Sequence, residues 1–214
     1  MINEQSQRAY FTYMRPEMVP FLPDEYSKVL EIGCNVGNFR QYVSKPCEYW
    51  GVEPFKDSAD IAKSRMDKVL VGFYDQVEND IPDNYFDLVI ANDVIEHMER
   101  PWDFFQAIKR KMTKNASLVL SIPNVRYCEN LKELLYDRDW KYKDCGVLDI
   151  THLRFFTAKS IINLLNENGF GIEKMQGINP MKVRIRYLLL YWLSKIIFGK
   201  DMEFKQFGVR AKIK

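Results

Sequence analysis

The stretch Val29-Leu30-Glu31-Ile32-Gly33-Cys34-Asn35-Val36-Gly37 decides the fold of this chain. Its first four residues are apolar apart from Glu31, which predicts a short buried strand. Small residues then stand at every second position, at Gly33, Asn35 and Gly37, and a helix pattern follows. Such a turn brings bare backbone close to a ligand and points a helix N-terminus at it. Because asparagine tolerates positive φ better than other residues with a side chain, we expect the turn to form with Asn35 in the middle.

Apolar runs alternate with helix patterns along the rest of the chain. The further predicted strands run from Glu48 to Glu53, Lys68 to Val71, Tyr85 to Ala91, Ala116 to Ile122, Phe170 to Gly177 and Phe204 to Ile213. Pro101 suits the start of one helix. Thr157 suits the N-cap of another, whose apolar positions Ile161, Ile162, Leu164 and Leu165 should face the core and which ends at Gly169. This alternation, without internal repeats or a linker, predicts a single α/β domain over residues 1–214 with a parallel, doubly wound sheet and helices on both faces.

Composition is typical of an ordered globular protein and gives no sign of nucleic-acid binding. Of the 214 residues 47% are hydrophobic and 14% are aromatic, and the formal net charge is only +2. The four cysteines form no C-x-x-C pair, so neither a zinc site nor a disulfide framework is indicated. Residues Met1 to Arg8 are polar and lack the apolar core of a signal peptide, so we expect a cytoplasmic protein.

The second predicted strand ends in an acid, Glu53, at roughly the twenty-residue offset from the turn where acidic residues bind ribose in nucleotide-binding folds. One carboxylate accepts two hydroxyl donors, so the position requires Asp or Glu. Pro54 and Phe55 offer an apolar surface beside it for adenine. The spacing differs from the dinucleotide fingerprint G-x-G-x-x-G, because Asn35 and Asn38 stand where its later glycines would be.

The turn resembles the first motif of class I S-adenosylmethionine-dependent methyltransferases, acidic-x-G-x-G-x-G, with Glu31 as the acidic residue. The run Asn92-Asp93-Val94-Ile95-Glu96-His97 closely resembles the fourth motif of that family. The resemblance implies S-adenosyl-L-methionine as the cofactor and a Rossmann-like, seven-stranded, mostly parallel sheet with an antiparallel last strand. The cofactor-binding residues that it implies are Arg15, Glu31, Gly33, Asn35, Gly37, Glu53, Pro54, Phe55, Asn92 and Asp93.

The resemblance also gives the N-terminal region a role. Residues 1–27 would form a helical cap over the cofactor, in which Arg15 meets the methionine carboxylate and Tyr10 lies nearby. Asn92 and Asp93 would line the same end of the cofactor. The alternative for Arg15 is a surface cation on an aromatic helix.

The segment after the fifth strand, residues 123–156, is predicted to cover the opening of the cofactor crevice. We refer to residues 123–156 as the roof segment, or the roof. Its closing run, Gly146-Val-Leu-Asp-Ile-Thr-His-Leu-Arg-Phe-Phe-Thr157, resembles a group of bacterial methyltransferases associated with O-antigen and other surface polysaccharides. If this run is extended, His152, Arg154 and Phe156 share one face. His152 could then remove a proton from the acceptor, and Arg154 could hold a phosphate or carboxylate.

Alternatives remain for each of these residues. His152 could be a structural contact ahead of the next helix, and Arg154 could form a salt bridge with Asp149 or Asp144. Asn124, at the end of the fifth strand, is a further candidate for substrate binding.

His97 is the other histidine of the chain and the second candidate catalytic residue. It could instead pair with Glu96 and orient the loop that carries both. Some quinone O-methyltransferases place a metal near an acid-x-x-Glu-His run, which Asp93, Glu96 and His97 could imitate. We nevertheless expect no metal.

Residues 181–200 are predicted to form an amphipathic helix between the last two strands. The apolar run from Tyr187 to Leu193 is too short to span a bilayer. Cations flank a face rich in leucine, tyrosine and tryptophan, so residues 182–198 could make a peripheral contact with the inner membrane. Packing on the sheet or a homodimer contact are the alternatives.

The sequence therefore predicts an S-adenosylmethionine-dependent methyltransferase that acts on a sugar hydroxyl or amine, nucleotide- or lipid-linked, in surface-glycan biosynthesis. A methyltransferase for a small metabolite such as a quinone or an amine is one alternative. A catalytically silent, cofactor-binding partner subunit is the other. Asn35 departs from the glycine motif, and Phe73 lies where the family often has an acid for the adenine amino group; both favour that silent subunit.

Overall fold

A seven-stranded sheet organises the protein in the computed structural model, which describes residues 14–181 and 196–214. The strands in chain order are β1 Lys28–Ile32, β2 Glu48–Glu53, β3 Lys68–Val71, β4 Phe86–Asn92, β5 Met112–Pro123, β6 Phe170–Pro180 and β7 Phe204–Ile213. Their order across the sheet is β3-β2-β1-β4-β5-β7-β6. The first five strands pair in parallel, whereas β7 lies antiparallel between β5 and β6. The predicted mostly parallel sheet with an antiparallel last strand is confirmed.

Helices connect the strands. The α-helices among the described residues are α1 Lys56–Ala62, α2 Tyr74–Val77, α3 Pro101–Lys111, α4 Cys128–Lys132 and α5 Ala158–Glu167. Short 3-10 helices cover Pro16–Phe21, Asn38–Tyr42, Glu78–Asp80, Ile95–His97 and Lys200–Glu203, and a π-helical turn covers Glu133–Asp137. The helix predicted directly after the glycine turn is therefore a single 3-10 segment. None of the helices in the described ranges is long and apolar enough to cross a bilayer.

The centre of the sheet is covered on both faces, as its continuous apolar sequence predicts. In β4, Leu88 and Ile90 pack with Met18 and Phe21 of the first 3-10 helix on one face. The residues that alternate with them, Val89 and Ala91, belong to the cluster on the opposite face. That opposite cluster contains the buried sides of α3 and α5, so the prediction of helical segments on both faces is also confirmed.

The predicted cap of α5 is confirmed, but its predicted apolar face is only partly correct. The Ser160 N–H donates to Thr157 Oγ1 (3.2 Å) and the Thr157 N–H donates to Ser160 Oγ (2.8 Å), a reciprocal capping box. Ile161 and Leu165 are fully buried. Ile162 is 39% exposed, because a neighbouring helical position lies about 100° round the axis. The prediction that Ile162 faces the core is wrong.

The order of the strands places a crevice between β1 and β4. From β1 the chain builds outward on one side to β2 and β3, and on the other side it continues with β4 and β5. Ligands in open α/β sheets bind at the carboxyl ends of the strands where the order reverses in this way. The glycine turn after Ile32 and the loop after Asn92 both lie at that point. The predicted helix 181–200 falls mostly on residues 182–195, outside the described residues.

Gly208 of β7 is expected to be intolerant of a side chain. A Cβ there would lie 2.5 Å from two ring atoms of the buried Phe21, whereas a Cβ at Gly171 of β6 would meet Lys214 Cγ at an ordinary 3.6 Å. Gly208→Ala should lower the free energy of unfolding by about 1–3 kcal/mol, because the ring must move in a packed cluster. Urea unfolding of Gly208→Ala and of the matched control Gly171→Ala measures the difference. Equal stability of the two variants would contradict this packing.

Candidate active site

The glycine turn after β1 contains three left-handed residues. Gly33 (φ 68°), Asn35 (φ 50°) and Gly37 (φ 77°) all have positive φ. The N–H groups of Gly33 and Cys34 donate to Val52 O at 2.8 and 3.1 Å, which joins the turn to β2. A Cβ at Gly33 would lie 2.7 Å from the Val94 side chain, so this position has no room for one. The expectation that Asn35 preserves the turn is confirmed.

Glu53, at the end of β2, binds the backbone of this turn through its carboxylate. It is only 2% exposed, and its two carboxylate oxygens accept the N–H groups of Asn35 (2.8 Å) and Phe55 (3.1 Å). Burial raises the pKa of Glu53, while the two N–H donors oppose that shift. Each oxygen keeps a second lone pair, so the carboxylate can still accept hydroxyl donors. Pro54 is half-buried and Phe55 is exposed beside it.

Glu31 lies inside the sheet rather than at the surface of the turn. Its carboxyl is buried and accepts the Tyr49 hydroxyl at 2.9 Å. Burial raises its pKa to about 8, and the nearby Glu53 charge adds to the shift. Glu31 thus supports the turn from within β1, and its predicted role toward the cofactor stays a prediction. Phe73 is exposed, and its N–H donates to Gln76 Oε1.

Beyond β4, Asp93 is held by groups from three other segments. Its Oδ1 accepts Ser121 Oγ (2.9 Å) from β5 and Gln206 Nε2 (2.8 Å) from β7. Its Oδ2 pairs with the Arg15 guanidinium, which is buried and also pairs with Glu17. Arg15 thus lies beside Asp93 and is bonded to protein carboxylates, and its predicted contact with the cofactor stays a prediction. Tyr10 lies outside the described residues.

Within the described part of the chain, the side chain of Asn92 has no hydrogen bond. Both its amide nitrogen and its amide oxygen are buried, and neither has a partner among residues 14–181 and 196–214. Buried polar groups in proteins are nearly always hydrogen-bonded, so an unsatisfied amide at the carboxyl end of β4 indicates a position where a ligand binds. The predicted cofactor contact of Asn92 stays a prediction.

The structure brings the two histidines together against Glu96. Their rings are T-shaped with centroids 4.8 Å apart, and His152 Nε2 lies 3.9 Å from Glu96 Oε1. The N–H groups of Leu153 and Arg154 donate to Glu96 O at 2.8 and 3.0 Å, which fixes the roof segment to the loop after β4. Glu96 and His152 are buried, whereas His97 is exposed.

The protein around Glu96, His97 and His152 sets the protonation of these three side chains. Burial raises the pKa of Glu96 to about 8, against an opposing effect from the Arg15 charge. Loss of hydration against the surrounding protein lowers the pKa of both imidazoles, that of the solvent-exposed His97 included, and for His97 the neighbouring His152 adds to the shift. Both histidines are therefore neutral at physiological pH, as a proton acceptor must be.

Arg154 and Asn124, the two predicted substrate contacts, are hydrogen-bonded to other parts of the protein. Residues His152 and Phe156 are buried but Arg154 is exposed, so the predicted common face is wrong. The Arg154 guanidinium donates to Glu99 O at 3.1 and 2.5 Å, because the two backbone bonds to Glu96 O turn it away from His152. No salt bridge to Asp149 or Asp144 is present among the described residues.

Asn124 is fully buried and hydrogen-bonded within the protein. Its Nδ2 donates to Asp201 O (2.8 Å) and Phe204 O (2.9 Å), and its Oδ1 accepts the Arg126 N–H (3.0 Å). These bonds attach the start of the roof segment to β7. Substrate binding by Asn124 stays a prediction.

Known methyltransferases match this chain in sequence and in fold. The family described as methyltransferase domain matches residues 5–174. The chain belongs to this methyltransferase family. It is 27% identical over 165 residues to a mitochondrial ubiquinone biosynthesis O-methyltransferase of Schizosaccharomyces pombe. That match covers 72% of this chain and 60% of the yeast protein, so the chain spans less than two thirds of that relative's length.

Solved methyltransferase structures share the fold over nearly the whole chain. A SAM-dependent methyltransferase from Archaeoglobus fulgidus matches with a TM-score of 0.69 at 17% identity, covering 98% of this chain and 93% of that one. One from Thermotoga maritima, described as a candidate histamine N-methyltransferase, matches with a TM-score of 0.66 at 19% identity, covering 99% and 96%. S-adenosylmethionine is the expected cofactor of this methyltransferase.

Replacing Glu53 should weaken cofactor binding. Glu53→Ala removes the two acceptors that hold the turn and the carboxylate available to ribose, so the Kd for S-adenosylhomocysteine should rise by about tenfold or more, roughly 1.4 kcal/mol. Isothermal titration calorimetry gives the Kd. Asp57→Ala removes an exposed acid at the start of α1 and serves as the charge control. Equal affinity of Glu53→Ala and wild type would remove Glu53 from the site.

The raised pKa of Glu31 should make stability fall with rising pH. An unfolded glutamate titrates near 4.5 and the folded one at about 8, so the folded state holds the extra proton between these values. The free energy of unfolding contributed by Glu31 therefore decreases as pH rises through that window. Glu31→Gln, which is neutral throughout, should weaken the decrease. Because Glu96 has a shift of the same sign, urea unfolding of wild type minus variant across pH 4.5 to 8 isolates Glu31.

Proposed function

We propose that this methyltransferase transfers the methyl group of S-adenosylmethionine to a hydroxyl oxygen or amine nitrogen of a nucleotide- or lipid-linked sugar in surface-glycan biosynthesis. The observation that carries the proposal is the contact between the roof segment and the loop after β4. In this contact His152, a buried imidazole, lies 3.9 Å from Glu96 of that loop, and the Asn92 amide at the end of β4 has no hydrogen-bond partner among the described residues.

Four side chains of this protein would hold the cofactor. Glu53 would accept the ribose hydroxyls, and the exposed Phe55 would cover one face of the adenine. Asn92 would bond the methionine end with its free amide, and Arg15 would meet the methionine carboxylate. When bound, S-adenosylmethionine supplies a methyl group activated by a sulfonium.

Methyl transfer depends chiefly on alignment of the acceptor with that methyl group, and base assistance is secondary. His152 is suited to take the acceptor proton, because its Nδ1 lies 2.9 Å from Val147 O and must donate to that carbonyl. Its Nε2 therefore keeps a lone pair. The roof segment, bonded to the loop after β4, would exclude water from the reaction.

Support for a glycan acceptor comes from the roof sequence and its charge. Within the roof, Arg126 pairs with Asp201 and Arg154 bonds the Glu99 carbonyl, whereas Arg138 and Lys141 are exposed and suit a phosphate-linked acceptor. A peripheral membrane contact through residues 182–198 and a homodimer remain parts of the proposal that fall mostly outside the described residues.

Two alternatives have specific support. A small-metabolite acceptor is favoured by the ubiquinone O-methyltransferase relative and by the Thermotoga maritima neighbour described for histamine. A catalytically silent subunit was suggested by Asn35 and Phe73. Asn35 forms the turn, so only the exposed Phe73 still favours it.

Binding of S-adenosylhomocysteine should raise the thermal stability of the chain. A ligand at a hundred times its Kd stabilises the folded state by about 2.7 kcal/mol, which is well resolved in a thermal-shift titration. The nicotinamide dinucleotides are the controls, since the turn departs from their fingerprint and should give no shift.

Initial rates with nucleotide-linked sugars and with a hydroxylated quinone then separate the acceptors. Turnover with the quinone alone would favour the metabolite alternative. A shift with S-adenosylhomocysteine but no turnover with any acceptor would favour the silent subunit. No shift would contradict the proposed function itself.

A further inference from the structure

A closed ring of five side chains joins the first 3-10 helix to the loop after β4 and to the last two strands. Its members, in the order in which they bond, are Arg15, Asp93, Gln206, Asn179 and Glu17. Arg15 pairs with Asp93, and its Nε lies 3.1 Å from Glu17 Oε1. Asn179 Nδ2 lies 3.4 Å from the same Glu17 oxygen, which closes the ring. We refer to these five side chains as the side-chain ring.

Three residues of the side-chain ring have a left-handed backbone. Arg15 (φ 59°), Asp93 (φ 53°) and Asn179 (φ 53°) are three of the six non-glycine residues with positive φ in the described part of the chain. This conformation costs free energy for a residue with a side chain, and it persists only where the surrounding bonds hold it. Such residues concentrate at functional sites, so their meeting in one ring favours a functional role for it.

The side-chain ring decides which oxygen of Asp93 is available to a ligand. Ser121 Oγ (2.9 Å) and Gln206 Nε2 (2.8 Å) both donate to Oδ1 and use its two lone pairs. Among the described residues, Oδ2 accepts only the Arg15 guanidinium and keeps a lone pair. The Asp93 side chain is 29% exposed, so a ligand can reach it. Loss of the Gln206 bond would leave the carboxylate free to turn.

The amides of Asn179 and Gln206 act in sequence on this carboxylate. Glu17 and Asp93, at the two ends of the amide pair, are carboxylates that only accept hydrogen bonds. Asn179 Nδ2 donates to Gln206 Oε1 at 2.8 Å, so the Gln206 amide directs its nitrogen at Asp93. Without the Asn179 donor the Gln206 amide could rotate and place its oxygen against Asp93 Oδ1. Gln206 is only 8% exposed, so water replaces a lost bond poorly.

We propose that Gln206 and Asn179 are positioning residues of the cofactor site. They hold the Asp93 carboxylate in the orientation that binds the methionine end of S-adenosylmethionine, and neither residue has to touch the cofactor. The inference rests on the proposed function, in which Asp93 lines that end of the cofactor. It extends the site from the parallel strands to β6 and β7.

Two ligands separate positioning from a general effect on the fold. S-adenosylhomocysteine carries the amino and carboxyl groups of the methionine end, whereas methylthioadenosine has the same adenosine and sulfur without them. Leucine resembles glutamine in volume but has no donor, so Gln206→Leu should raise the Kd for S-adenosylhomocysteine by about tenfold or more. The Kd for methylthioadenosine should be unchanged. NMR titration of the full chain measures both.

The same titrations can contradict the proposal in two ways. An equal rise of both Kd values in Gln206→Leu would show that the substitution distorts the whole crevice, and it would overturn positioning of the methionine end. An unchanged Kd for S-adenosylhomocysteine in a folded Gln206→Leu would overturn it directly.

An exchange of side chains tests whether Gln206 acts through Asp93. Gln206→Glu places two carboxylates against each other and should weaken S-adenosylhomocysteine binding by about tenfold or more. Adding Asp93→Asn restores one carboxylate and one amide at this contact, with the net charge of the wild type. The double variant should therefore recover part of the affinity lost by Gln206→Glu. Additive losses would show that the two side chains act independently and would overturn the proposal.

A matched control and a second variant complete the set. Gln176→Glu introduces the same charge at an exposed position of β6 and should leave both Kd values unchanged. Asn179→Gly removes the second amide, and glycine tolerates the left-handed backbone there, so it carries the test if Gln206 variants do not fold. It should raise the Kd for S-adenosylhomocysteine by a smaller factor. No rise would overturn the role of Asn179.

The wild-type chain separates the two levels of inference. A wild-type chain that does not bind S-adenosylhomocysteine refutes the proposed function. A wild-type chain that binds it with a Kd that Gln206→Leu leaves unchanged refutes the positioning role alone.

Discussion

The two hydrogen bonds that the Glu53 carboxylate accepts are the contact on which the cofactor side of this molecule depends. They connect Glu53 to Asn35 in the glycine turn after β1 and to Phe55, the N-cap residue of α1. The ends of the neighbouring strands β1 and β2 are therefore held together. The same bonds hold Asn35 in a left-handed conformation that costs roughly 1 kcal/mol for a residue with a side chain. Because each oxygen retains a lone pair, the carboxylate can stabilise the turn and still bind a ligand.

Much of the fold could be predicted because its strongest signals are local. The strands at the centre of the sheet are buried on both faces and therefore appear as continuous apolar runs. The reciprocal hydrogen bonds of Thr157 and Ser160 join residues only three positions apart, so the sequence indicates them directly. Details that depend on packing were missed. Ile162 faces solvent although its neighbour Ile161 is buried, and the segment after α4 continues as a π-helical turn that composition does not indicate.

In the candidate site too, local sequence predicts some features, whereas contacts between distant segments could not be predicted. The turn and Glu53 follow from spacing along the chain, whereas the contacts of Asp93 with Ser121 and Gln206 join residues 28 and 113 positions apart. Their signal was a polar residue among the apolar residues of a predicted strand, which identifies a candidate but not its partner. Arg154 was misplaced for a similar reason: alternation gives a common face only when the chain is extended, and here its backbone bonds Glu96.

The position of β7 has a consequence for how the protein is made. This strand follows all others in the sequence, yet it lies inside the sheet between β5 and β6 and provides the Gln206 that holds Asp93. During synthesis the first five strands can pair as they emerge, but β6 has no direct neighbour until β7 arrives. The nascent chain must therefore keep β6 and the edge of β5 apart from other strands until translation has passed Ile213, and the hydrogen bonds around Asp93 are completed last.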